Sequence, residues 1–140
     1  MSAAAALYTR EVLTLATSLA RWPLDPALPL VGHARAPTCG STLDLGLALD
    51  AAGAIERIGL RARACAIGQA AAAIFANAAS GRTPADIAAT ASGIARWLDG
   101  GPSPDWPGLD NIAAARDYPA RHGAILLAWR AALVALEQRG

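Results

Sequence analysis

Apolar positions along the chain change their period twice. Leu7, Val12, Leu15 and Leu19 recur close to helical spacing, which predicts an amphipathic helix over Leu7–Ala20. Three prolines follow, Pro23, Pro26 and Pro29, and impose an extended connection. Leu30–Ala36 reads as a first strand. From Thr42 to Asp50 the pattern alternates, with Leu43, Leu45, Leu47 and Leu49 on one face and Thr42, Asp44, Gly46 and Ala48 on the other. Asp50-Ala51-Ala52-Gly53 is a turn. Ile55, Arg57, Gly59 and Arg61 then alternate against Glu56, Ile58 and Leu60, a strand that runs to about Arg63. Two alternating runs around a Gly-containing turn form a hairpin, and the strand before them completes a three-stranded antiparallel sheet.

After Arg63 the period becomes helical. Ala66–Ala79 places Ile67, Ala71, Ile74, Phe75 and Ala78 on one face, and Gly81 is a C-terminal stop. Thr83-Pro84-Ala85-Asp86 starts the next helix with a cap, a proline at its first position and an acid at its third. That helix turns Ile87, Ala91, Ile94 and Leu98 inward and ends at Asp99-Gly100-Gly101-Pro102. A Gly/Pro loop reaches Pro107, Leu109–Ala115 is a short helix, and Tyr118–Gln138 is the last helix. Strands and helices are segregated along the chain. The expected class is therefore α+β: a small three-stranded antiparallel sheet packed against four to five helices, in a single domain spanning residues 1–140.

Composition narrows the chemistry. Hydrophobic content is 54%, but much of it is alanine, so large side chains such as Ile74, Phe75, Ile94, Trp97, Ile125 and Trp129 must supply most of the buried area. All twelve basic residues are arginine, which excludes lysine Schiff-base and P-loop chemistry. The net charge of +1, with signs interspersed, gives no nucleic-acid footprint. Met1–Trp22 has no basic leader, and Ala64–Gly81 is broken by Gln69, Asn77 and Ser80, so no membrane association and a cytoplasmic location are expected. No Ser–His–Asp set, phosphate loop or carboxylate pair stands out, and the chain is not expected to be an enzyme.

The two cysteines are the remaining candidates. Cys39 lies in the break Ala36-Pro37-Thr38-Cys39-Gly40-Ser41 between two strands. Cys65 lies where the hairpin gives way to a helix, a position whose unpaired backbone N–H groups favour negative charge. The ends of the first and third strands lie at the same edge of the sheet, so the two thiols can approach. Together they are half of a tetrahedral thiolate site for zinc or an iron–sulfur cluster; otherwise each is a small buried apolar residue. His122, near the start of the last helix, is the candidate third ligand. His33 is expected at the surface.

Four separated motifs bear on this choice: Pro37-Thr38-Cys39-Gly40, Ala64-Cys65-Ala66-Ile67-Gly68-Gln69-Ala70, Gly81-Arg82-Thr83, and Tyr118-Pro119-Ala120-Arg121 leading into Leu127-Ala128-Trp129. With these the chain resembles the iron–sulfur cluster assembly scaffold family of IscU, SufU and the N-terminal domain of NifU. The Pro-Ala-Arg segment looks closer to the SufU-like branch. The resemblance implies a SufE/NifU-like fold and an iron, zinc or nascent iron–sulfur cluster held for transfer. It implies a cysteine desulfurase and apo iron–sulfur proteins as partners, and it allows a homodimer. The family site uses three cysteines and an aspartate. The first two cysteines map to Cys39 and Cys65, the aspartate position is Ser41, and the third cysteine position is Ala124. His122 stands two positions before Ala124, and Gly123 takes the place where the family often has His or Lys. Two further readings stay open: a family relative without metal that docks on or regulates a desulfurase system, and a sulfur carrier or redox pair using Cys39 and Cys65.

Overall fold

The computed structural model describes residues 7–139, so the first six residues of the Met1–Trp22 stretch lie outside it. Four α-helices stand among these residues: α1 (Arg10–Ser18), α2 (Ala66–Ala79), α3 (Pro84–Leu98) and α4 (His122–Leu136). Three strands, β1 (Leu30–Ala36), β2 (Ser41–Leu49) and β3 (Ile55–Arg63), form one antiparallel sheet in the order β1-β2-β3. The fold is α+β, as the segregated pattern requires.

The sheet has one core face. Register pairs Ala34 with Leu43 and Leu43 with Ala62, Gly32 with Leu45 and Leu45 with Leu60, and Leu30 with Leu47 and Leu47 with Ile58. Directly paired residues share a face, so these rows look toward the helices. Strict alternation would send Ile55 to the opposite side from Ile58 and Leu60. A register shift between Ala48 and Leu49 resets the phase, and Ile55 is 1% exposed. One extra residue in a ladder reverses which face the following side chains take.

Helix α2 lies in the middle of the helical layer and packs on α1, α4 and β3. Ten of its fourteen residues are buried, which explains its alanine run: small side chains let neighbours approach from several sides. Helix α3 begins with a full capping box, in which Asp86 N–H donates to Thr83 Oγ1 at 3.2 Å and Thr83 N–H to Asp86 Oδ2 at 3.0 Å. Helix α4 lies on β1 at a closeness that only glycine permits. A Cβ on Gly32 would run into the Ala131 carbonyl oxygen.

The Gly/Pro loop contributes to the core. Trp106 stacks on Phe75 with ring centroids 5.6 Å apart, and both meet Trp129 edge-on at 5.4 and 5.3 Å. Trp106 Nε1–H donates to the Ile74 carbonyl at 3.0 Å, and the Arg82 guanidinium lies 4.4 Å over its ring. Such aromatic pairs add about 0.5–1.5 kcal/mol each beyond their buried area.

Three element boundaries differ from the sequence pattern. The first helix is shorter than Leu7–Ala20 and passes into a 3₁₀ turn at Leu19–Arg21. Leu109–Asp117 is a 3₁₀ segment with a kink at Ile112. The last helix starts at His122, because Pro119–Arg121 forms a separate 3₁₀ turn. No helix among the described residues is long and apolar enough to cross a membrane.

Candidate metal and cluster site

Three stretches of chain meet at one end of the sheet. The first is the β1–β2 hairpin. Gly40 takes φ +72°, which glycine adopts without strain, and its N–H donates to the Ala36 carbonyl at 2.8 Å. This tight turn pairs Ala36 with Ser41 and leaves Cys39 exposed on the loop. The second stretch follows β3. Arg63 pairs with Thr42, and the chain then enters α2 with Cys65 as its N-cap residue, extended at φ −64° and ψ 170°. The Cys65 side chain caps no backbone N–H and is half-buried. The third stretch is the start of α4. A Cβ on Gly123 would lie 3.0 Å from the Ala36 Cβ, and one on Gly68 would lie 3.2 Å from the Ala124 Cβ.

These contacts bring Cys39, Ser41, Cys65 and Ala124 to the same end of the sheet. Ser41 is tied to Ala36 by the ladder, and Ala36 touches Gly123. Ala124 touches Gly68, which lies within the first turn of α2 after Cys65. Ser41 is 6% exposed and Ala124 is 1% exposed.

The chemistry of the corner is thiol chemistry. The Cys39 thiol donates to Ser41 Oγ at 3.1 Å. When the sulfur ionises, the hydroxyl can rotate and donate to it. That hydrogen bond lowers the Cys39 pKa. Desolvation, the next largest effect, opposes it, and the backbone N–H groups at Ser41 and Cys39 and the Arg121 charge add smaller contributions that lower it further. His122 is committed elsewhere: its Nε2 lies 2.8 Å from the Arg116 carbonyl, which only accepts, so Nε2 carries the proton. Arg116 in turn donates to the Trp97 carbonyl at 2.9 Å, which ties the start of α4 to the end of α3. His33 is at the surface, with Nδ1 2.7 Å from Asp44 Oδ1. Among the described residues, no three His, Cys, Asp or Glu side chains cluster closely enough to hold a metal ion.

No protein-family model matches the chain, and no curated protein matches it in sequence. Solved structures do. A nitrogen-fixing NifU-like protein (N-terminal) from Brucella abortus superposes with a TM-score of 0.87 at 26% identity, over 98% of this chain and 96% of that one. This is the fold of the IscU, SufU and NifU scaffold family. A protein assigned as an iron–sulfur cluster assembly scaffold for the SUF system, from the thermophilic Fervidobacterium islandicum AW-1, has the same fold. It superposes at a TM-score of 0.83 and 18% identity, over 94% of this chain and 97% of that one. A third structure, of a hypothetical protein, gives 0.68 and 20% over 91% and 97%. The likeness to these structures spans nearly the whole chain.

Sequence reasoning missed two contributors to this corner. Gly68 sets how closely α2 meets the start of α4, and Gly123 how closely α4 meets the end of β1, but neither carries chemistry, and their spacing gives no sign of the contact. The Ser41 hydroxyl, read only as a replaced aspartate, is the group that addresses Cys39.

Proposed function

We propose that the chain is a scaffold-like protein of iron–sulfur cluster assembly, which takes up iron or a nascent cluster, or zinc, as cargo at Cys39 and Cys65. One observation supports this reading: in a fold shared with a NifU-like protein and a SUF-system scaffold, Cys39 and Cys65 stand at the same end of the sheet. The lowered pKa of Cys39 supports it, because the thiolate is the metal ligand. Ser41 offers a hydroxyl rather than a carboxylate, and Ala124 offers no ligand. A closed tetrahedral site needs four ligands. Those missing come from outside the chain: a cysteine desulfurase that supplies sulfur, an apo acceptor, or a second copy. The protein acts in the cytoplasm and is not an enzyme.

A second reading starts from Ser41 and Ala124, which stand where the family resemblance places an aspartate and a cysteine. In it the chain docks on a desulfurase system without carrying metal. Cobalt(II) titration of the reduced protein separates the two. The scaffold reading expects a thiolate-to-cobalt charge-transfer band in the near ultraviolet that is lost in both Cys39→Ser and Cys65→Ser. A spectrum identical to free cobalt, together with retained desulfurase binding, leaves the docking reading.

A further inference from the structure

The face of the sheet turned away from the helices is graded along its length. At the thiol end, Arg35 on β1, Thr42 on β2 and Arg63 on β3 are direct cross-strand neighbours, so their side chains leave the same face. Two strand spacings put the arginine Cα atoms about 10 Å apart. Both arginines are exposed. Neither has an ion-pair partner among the described residues; the pairs there join His33 and Arg61 to Asp44, and Arg57 to Asp25. The next row is His33, Asp44 and Arg61, with Asp44 bridging its neighbours at 2.7 and 3.3 Å. Beyond that row the surface turns apolar. Leu24 and Val31 on this face, and Val134 of α4 across the β1 edge, are 36%, 52% and 39% exposed and help line a cup of about 500 Å³ that wraps that edge.

Position along the strands gives this gradient a direction. Arg63 precedes Cys65 by one intervening residue, and Arg35 precedes the turn that carries Cys39. The segment Leu24–Leu28 fixes the far boundary: it crosses the same face over Gly46, where a Cβ would lie 2.9 Å from the Leu28 Cβ. The open part of the face therefore runs from the cup to the thiols.

We propose that this face seats a partner protein through a segment that is acidic at the thiol end and apolar at the cup. Two uncompensated guanidinium groups about 10 Å apart match carboxylates spaced along a protein chain. The cup takes an apolar anchor, the arrangement of protein interfaces with a dry core and a charged rim. A nucleic-acid backbone fits less well. The chain's net charge is +1, Asp44 stands in the middle of the face, and the cup offers nothing to phosphate. The proposal deepens the scaffold reading and rests on it for the purpose of docking: a segment lying along this face ends above Cys39 and Cys65, where outside ligands are needed.

The test uses the metal-free protein, so it does not depend on metal uptake, which cobalt titration reads separately. Two fluorescein-labelled peptides serve as probes, decaglutamate and decaglutamate with a Leu-Trp-Leu tail, measured by anisotropy at low salt. The tailed peptide is expected to bind at least about tenfold more tightly, a difference of about 1.4 kcal/mol. Arg35→Glu with Arg63→Glu is expected to weaken both peptides by more than about tenfold. Val31→Ser with Val134→Ser is expected to remove only the gain from the tail. The control Arg96→Glu with Arg130→Glu reverses two exposed arginines on α3 and α4 and is expected to leave both affinities unchanged. Equal losses in the control and the Arg35/Arg63 variant overturn the proposal, as does no loss in that variant. So does a single-stranded RNA decamer that competes as well as the tailed peptide, or self-association that occupies the face in sedimentation. Circular dichroism confirms that each variant is folded.

Discussion

Gly68 and Ala124 meet where α2 and α4 begin: a Cβ placed on Gly68 would lie 3.2 Å from the Ala124 Cβ. Ala124 is therefore held against the first turn of the helix whose N-cap residue is Cys65. In the scaffold reading, Ser41 and Ala124 stand where the family resemblance implies ligands.

Restoring those ligands is expected to restore affinity. Ser41→Asp with Ala124→Cys supplies a carboxylate and a third thiolate. Zinc affinity, read by competition with a colorimetric chelator, is expected to rise on the order of a hundredfold, about 2.8 kcal/mol. Ala124→Cys alone is expected to give part of this gain. No gain in the double variant, with fold intact by circular dichroism, means the corner does not bring the four positions within reach of one metal.

The Ser41 hydroxyl is expected to control the reactivity of Cys39. It lowers the thiol pKa, so Ser41→Ala raises it toward the usual range near 8.5. In a Cys65→Ser background, the pH midpoint for alkylation of Cys39 by iodoacetamide is expected to move upward in Ser41→Ala. Because the folded pKa is the lower one, the associated stabilisation is present above the unfolded pKa and is lost as pH falls through the folded value. An unchanged midpoint assigns the shift to the backbone N–H groups and Arg121 instead.

Gly32 is expected to be intolerant of any side chain. A Cβ there runs into the Ala131 carbonyl, which is backbone and cannot rotate aside, so α4 must lift from β1. Gly32→Ala is expected to cost about 1–3 kcal/mol, as overpacking does, and to lower the midpoint in chemical denaturation. Gly53→Asn is the comparison: Gly53 has φ +87° with no atom within 4 Å of a Cβ, and asparagine tolerates that conformation. A smaller loss at Gly32 than at Gly53 would mean that α4 does not lie this closely on β1.

Much of this fold is written locally. Alternation of Leu43, Leu45 and Leu47 set the core face of β2, the Thr83–Asp86 box set the start of α3, and antiparallel order alone put Cys39 and Cys65 at one end of the sheet. What stayed hidden depends on partners distant in the chain. The shift at Ala48/Leu49 that buries Ile55 exists only relative to β3. Trp106 looked like part of a loop because its neighbours are Gly and Pro, yet its core position is made by Phe75, Trp129 and the Ile74 carbonyl. The start of α4 was expected at Tyr118, but Pro119–Arg121 closes a 3₁₀ turn, and the His122 ring is held by Arg116. Helical period carries no information on where a histidine ring finds its acceptor.

The most direct test of the scaffold reading is anaerobic reconstitution of the reduced protein with ferrous iron and sulfide, followed by gel filtration and visible absorption. The account predicts a coloured protein with sulfur-to-iron charge-transfer bands, strengthened by an added small thiol and lost in Cys65→Ala. A wild-type protein that elutes colourless, with and without the added thiol, contradicts it.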